Sequence, residues 1–140
     1  MNGGGRRGAR ERVLSLLYEA DAKDQLPSAV LAELPVAPEP FVDDLVRGVE
    51  HRRGEIDELI SRFAIDWTLD RMPVLDRTLL EMATYELLQR GDVPTGVIIS
   101  EAVALAKEYS TEESGRFVNG VLSSIAAQTR PASPAGEPST

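Results

Sequence analysis

The chain contains no cysteine. That excludes disulfides, thiolate metal sites and cysteine nucleophiles, and it fits a reducing compartment. Histidine is reduced to a single residue, His51, set among charges in Glu50-His51-Arg52-Arg53. Such a residue reads as a solvated side chain on the outer face of a helix, with no nucleophile paired to it. There is no phosphate-cradling loop ending in Lys-Ser or Lys-Thr, no dinucleotide-type glycine fingerprint, no HExxH and no GxSxG. Carboxylates are plentiful, but no two are marked as an acid/base pair with opposed environments. The expectation is a protein that is not an enzyme, with no metal and no cofactor. No apolar run approaches the ~20 residues of a membrane span. The N-terminal stretch MNGGGRRGARER lacks the apolar segment of a signal peptide. A soluble, cytoplasmic protein away from the membrane is expected. Strands are missing as well: Val97-Ile98-Ile99 comes nearest, and it reads better inside a helix.

What is present is helical patterning in a chain of 140 residues, 42% hydrophobic and 27% charged. That length suits one compact domain with an adequate core. Val13, Leu16, Leu17 and Ala20 recur at helical spacing between Arg7 and Asp24, with Leu14 and Tyr18 widening the stripe. Prolines 27, 35, 38 and 40 then interrupt regular structure, leaving room for a short helix from Ser28 to Leu34. Phe41 to Phe63 carries Phe41, Leu45, Val49, Ile56, Ile60 and Phe63, and Gly48 and Gly54 invite a kink or break within it. A short connecting helix is read from Trp67 to Met72, capped by Asp66 or Thr68.

Pro73 opens the next helix, with Leu75, Leu79, Met82, Ala83 and Leu87 as its stripe and Gly91 as its stop. Pro94 opens another, through Ile98, Ala102, Leu105, Ala106 and Tyr109. Ser110 to Glu113 has capping-box spacing ahead of a last helix carrying Phe117, Val121, Leu122 and Ile125. The fold class is all-α, with a single helical domain over residues 1–130 and a disordered tail over 131–140.

Net charge is −8, which by itself opposes binding to a polyanion. The distribution points the other way at one end. Arg6, Arg7, Arg10 and Arg12 fall within seven residues, opposed only by Glu11. Forked guanidinium donors that stay charged suit phosphate, and Arg6 and Arg10 share a helical face. Their cations oppose the helix dipole at an N-terminus, so a purely stabilising role is unattractive. These arginines are read as exposed, contributing to nucleic-acid affinity and hardly to folding. Farther on, Glu86 lies within an apolar stripe and needs a partner, with Lys107 and Asn119 as candidates. Asn119 and Gly120 are read as structural, Gly120 allowing close helix packing.

Several of these stretches together resemble the NusB family. They are Arg6-Arg7-Gly8-Ala9-Arg10-Glu11 leading to Leu17-Tyr18, Leu75-Asp76-Arg77, Ala83-Thr84-Tyr85-Glu86-Leu87, Asp92-Val93-Pro94, Glu101 through Lys107, and Phe117-Val118-Asn119-Gly120-Val121-Leu122. The resemblance covers the chain from Arg6 to about Ala126. It implies two small helical bundles packed into one compact unit, and a transcription antitermination factor of ribosomal RNA operons. The implied partners are RNA of the boxA leader type, the ribosomal protein NusE and the RNA polymerase antitermination complex. By the same resemblance Arg6, Arg7 and Arg10 fall on the arginine-rich RNA-binding motif, Arg116 and Phe117 on a second segment near RNA, and Asp76 and Leu80 on the helix facing NusE. Gly8 interrupts the basic run, and Glu81 stands where the family commonly has arginine. An alternative reading is a stand-alone RNA-binding module related to the NusB-like domain of ribosomal RNA cytosine methyltransferases, although the chain carries no following methyl-donor domain. A further one is a homodimer that covers its RNA surface until the partner arrives.

Overall fold

A computed structural model describes residues 3–131, and the side chains from Arg6 onward. Of the expected tail over 131–140, residues 132–140 lie outside the described residues. Within them are seven α-helices, one 3-10 turn and no strand.

Helix α1 spans Gly3–Ala22, running unbroken through Gly8. It buries Ala9, Val13, Leu14, Leu16, Leu17 and Ala20, a stripe that repeats every three or four residues. Tyr18, placed beside that stripe by spacing, is instead 47% exposed. Two residues past the helix end, Asp24 has a φ of 55°, which turns the chain out of the helical path. The short α2, Pro27–Ala32, begins with a proline whose missing N–H is no loss at that position.

Helix α3, Pro40–His51, also begins with proline and buries Phe41, Val42, Leu45, Val46, Gly48 and Val49. The expected break falls at Arg52, between the two glycines, and α4 continues over Arg53–Phe63. Gly48 serves packing here: a Cβ built on it would lie 2.1 Å from Cζ of Tyr85. The expected connecting helix is a 3-10 turn over Leu69–Arg71, preceded by Thr68.

Helix α5, Val74–Gln89, is the axis of the molecule. Leu79, Leu80, Met82, Ala83, Thr84, Tyr85, Glu86 and Leu87 are all buried, so no face of its second half is free. On one side α1 and α3 pack against it, with α2 against those two. On the other, α4 and the pair α6, Thr95–Tyr109, and α7, Glu112–Thr129, complete the second bundle. The two-bundle expectation therefore holds, with α5 shared by both.

The α7 cap is displaced one residue from its expected place: Thr111 accepts from the Ser114 backbone N–H at 2.9 Å. Gly120 is exposed, with open space where a Cβ would sit, so its expected packing role does not hold. The close approach lies at Gly115, where a Cβ would meet Cγ of Lys107 at 2.8 Å. Arg130, the last residue of the expected domain, is tied down. Its guanidinium donates to the carbonyls of Leu87, Val93, Glu86 and Arg90 at 2.6–3.1 Å, fastening the end of α7 across the α5–α6 turn.

Candidate nucleic-acid interface

The first turns of α1 bring three arginines toward three different neighbours. Arg6 lies over the ring of Phe41, 4.3 Å from its centroid, with no carboxylate partner among the described residues. Arg7 reaches across to α6, where its Nε and one Nη donate to the two oxygens of the Glu101 carboxylate, the second at 3.0 Å. Arg10 turns inward. It donates through Nε and an Nη to the two oxygens of Glu86, both at 2.8 Å, and is only 3% exposed.

The expectation that Arg6, Arg7 and Arg10 are all exposed is thus corrected at Arg10. A helix rotates its side chains by 100° per residue, so Arg10 meets α5 while Arg7 meets α6. Glu86 finds its partner in Arg10, not in Lys107 or Asn119. Asn119 is exposed, and the Lys107 ammonium approaches Glu112 at 3.9 Å. Fork-to-fork geometry satisfies both buried ions at once.

The surroundings add a fourth arginine that the sequence reading passed over. Arg90, just past α5, lies 5.1 Å from the Phe41 centroid and donates to Asp44 at 3.0 Å and to both oxygens of Asp92 at 3.1 Å. Its hydrogen bond holds the Asp92 carboxyl below the ordinary range. Likewise the hydrogen bond from Arg7 holds Glu101 low, against the effect of burial. Tyr85 donates to Asp44 at 2.7 Å, and burial, then that bond, push its hydroxyl up to about 12. The signal that could have found Phe41 was an aromatic residue immediately after a helix-opening proline, level with a basic helix end.

The other expected residues lie elsewhere. Arg116 is exposed and Phe117 half-buried on α7, where they line a cleft of about 590 Å³ with Trp67, Pro73, Asp76 and Thr111. Trp67, missed in the sequence reading, is 46% exposed there. Asp76 is 4% exposed. It accepts from the Ser114 hydroxyl at 3.1 Å through one oxygen, while the other has no partner. Burial raises its carboxyl above the usual range, against the Ser114 bond. Leu80 is fully buried and offers no surface to a partner in this state. Glu81 is 4% exposed, facing Arg53 at 2.8 Å and Arg77 at 3.7 Å, with burial raising its carboxyl. No group of three acidic or histidine side chains among the described residues is arranged to hold a metal. No helix there is long and apolar enough to cross a membrane.

The pattern of the NusB family matches residues 7–127. The chain is 47% identical over 133 residues to the transcription antitermination protein NusB of Thermobifida fusca, covering 89% of this chain and 94% of that protein. Its fold is similar to that of T. maritima NusB, with a TM-score of 0.80 at 39% identity over 90% of this chain and 93% of the other. A chain from the structure of antitermination factors NusB and NusE in complex with double-stranded RNA is similar at a TM-score of 0.75. It is 28% identical, with 88% of this chain and 96% of that one covered. With a family match across most of its length and relatives near half identical, the chain belongs to the NusB family.

Proposed function

We propose that the chain is a transcription antitermination factor that binds the boxA element of ribosomal RNA leader transcripts together with NusE. It acts by assembly within the RNA polymerase antitermination complex, not by catalysis. The observation that carries the reading is the pairing of a cationic first turn on α1 with relatives that are antitermination proteins over nearly their whole length. The relatives' shared name, transcription antitermination protein NusB, favours this reading over an RNA-binding module related to the NusB-like domain of methyltransferases.

Arg6 and Arg7 supply RNA contacts at one end, and Arg116 with Phe117 supply a second segment. Arg10 contributes by fixing α1 against α5, so that its neighbours point outward. Asp76 lies at the cleft that Arg116 and Phe117 line, and Leu80 shapes α5 from within. A protein of net charge −8 with a small cationic end has a limited electrostatic footprint. RNA binding is therefore weak alone and stronger once a cationic ribosomal partner enlarges the face.

Linkage makes the test a closed cycle at fixed salt: RNA affinity with and without NusE, and NusE affinity with and without RNA. The two couplings must agree, at about 5–150-fold. Equal RNA affinities with and without NusE would overturn the assembly reading. A homodimer covering the arginine end would register in the same titrations as a dependence on protein concentration.

A further inference from the structure

We infer that Phe41 is a positioning residue for RNA binding, its ring holding the Arg6 guanidinium ready for a phosphate. The inference rests on the RNA-binding reading above and adds to it the group that sets Arg6 in place. Arg7 and Arg10 each have a glutamate, and Arg90 has two aspartates. Arg6 alone among these four cations has no carboxylate partner among the described residues, and its contact is the Phe41 ring. The chemical difference matters. A carboxylate occupies the N–H donors a phosphate would use and cancels the charge that attracts it. A π face attracts the cation while leaving its in-plane donors available.

Phe41 is well built for that task. It is 6% exposed, so its ring is held by the core and cannot swing with the arginine. Pro40 starts α3 immediately before it and fixes the backbone there. Arg10 and Arg90 lie 5.3 and 5.1 Å from the same centroid, so three guanidiniums converge on one ring. Their carboxylates Glu86, Asp44 and Asp92 offset the repulsion among them. A long flexible side chain is thereby ordered before the ligand arrives, which removes part of the cost of ordering it on binding.

The test is a double-mutant cycle on a boxA-type RNA at low salt, with the full chain as parent, Phe41→Leu, Arg6→Ala and the pair, each checked by circular dichroism. Phe41→Leu should weaken RNA binding about 2–5-fold, the range of a partly exposed cation–π contact. It should cost nothing further once Arg6 is alanine, and Phe41→Tyr should bind like the parent. Equal losses from Phe41→Leu in both Arg6 backgrounds would overturn the inference. Should Phe41→Leu fail to fold, the Arg6 Nε–Hε resonance of the parent decides. A ring-current upfield shift supports the contact, and the ordinary position of a solvated arginine overturns it. A parent that binds no RNA would sink the functional reading and this inference with it, whereas binding without coupling would sink the inference alone.

Discussion

Arg7 and Arg10 stand three residues apart on one helix, and each makes two hydrogen bonds to a glutamate on a distant helix. Water separates their roles. The Arg7 and Glu101 side chains are 41% and 18% exposed, while those of Arg10 and Glu86 are 3% and 2% exposed. An ion pair open to solvent contributes little to stability and can exchange one anion for another. A pair sealed between helices cannot exchange, because each ion has given up its hydration for the other. Two arginines of one basic motif thus divide the work: one fixes the helix, and one meets the ligand.

The largest expected effect comes from breaking the sealed pair. Arg10→Ala leaves the Glu86 carboxylate buried without a cation and should cost about 3–5 kcal/mol in denaturant unfolding. Replacing both partners, Arg10→Met with Glu86→Leu, should recover most of that loss, since both desolvation penalties disappear together. A loss below about 1 kcal/mol for Arg10→Ala would remove the distinction between the two pairs.

Asp76 sharpens the comparison from the acid side, as a buried carboxylate on the same helix as Glu86 but with no cation at hand. Burial raises its folded pKa above the unfolded value. Its ionisation therefore favours unfolding: the contribution to stability is full below the unfolded pKa and is lost as pH rises through the folded one. Asp76→Asn, which can still accept from Ser114, should gain on the parent as pH is raised from about 4. Thermal midpoints across that range check it, and a constant difference at all pH values would contradict it. The smallest effect on folding belongs to Arg7→Ala, within about 1 kcal/mol of the parent.

Much of the fold was legible in sequence. The helices after Pro73 and Pro94 begin beside those prolines, and the stripes of α1 and α5 are buried except at Tyr18 and, in part, Leu75. Periodicity gives the face a residue occupies, and that was enough to place Leu79 or Val13 in the core. It does not say what another helix brings to that face. Arg10 and Glu86 are 76 positions apart, so their pairing depends on how α1 crosses α5. The same limit explains Gly120, which sits between the apolar Val118 and Val121 but whose own face is open, and Gly115, which the Lys107 stem approaches closely. It also explains Arg130, whose carbonyl acceptors come from the end of α5 and the turn after it, 40 residues back in sequence at Arg90. The arginine cluster was visible as a cluster; which of its members faces solvent was not.

The most direct measurement is the salt dependence of boxA RNA binding by Arg6→Ala/Arg7→Ala, beside the parent and at a temperature where both are folded. The slope of log affinity against log salt scales at about −0.7 per phosphate neutralised on a single strand. Loss of the two outward cations should weaken binding and flatten that slope by about 0.7–1.4. An unchanged slope, with both proteins folded and bound, would contradict the assignment of the RNA-facing role to the first turn of α1.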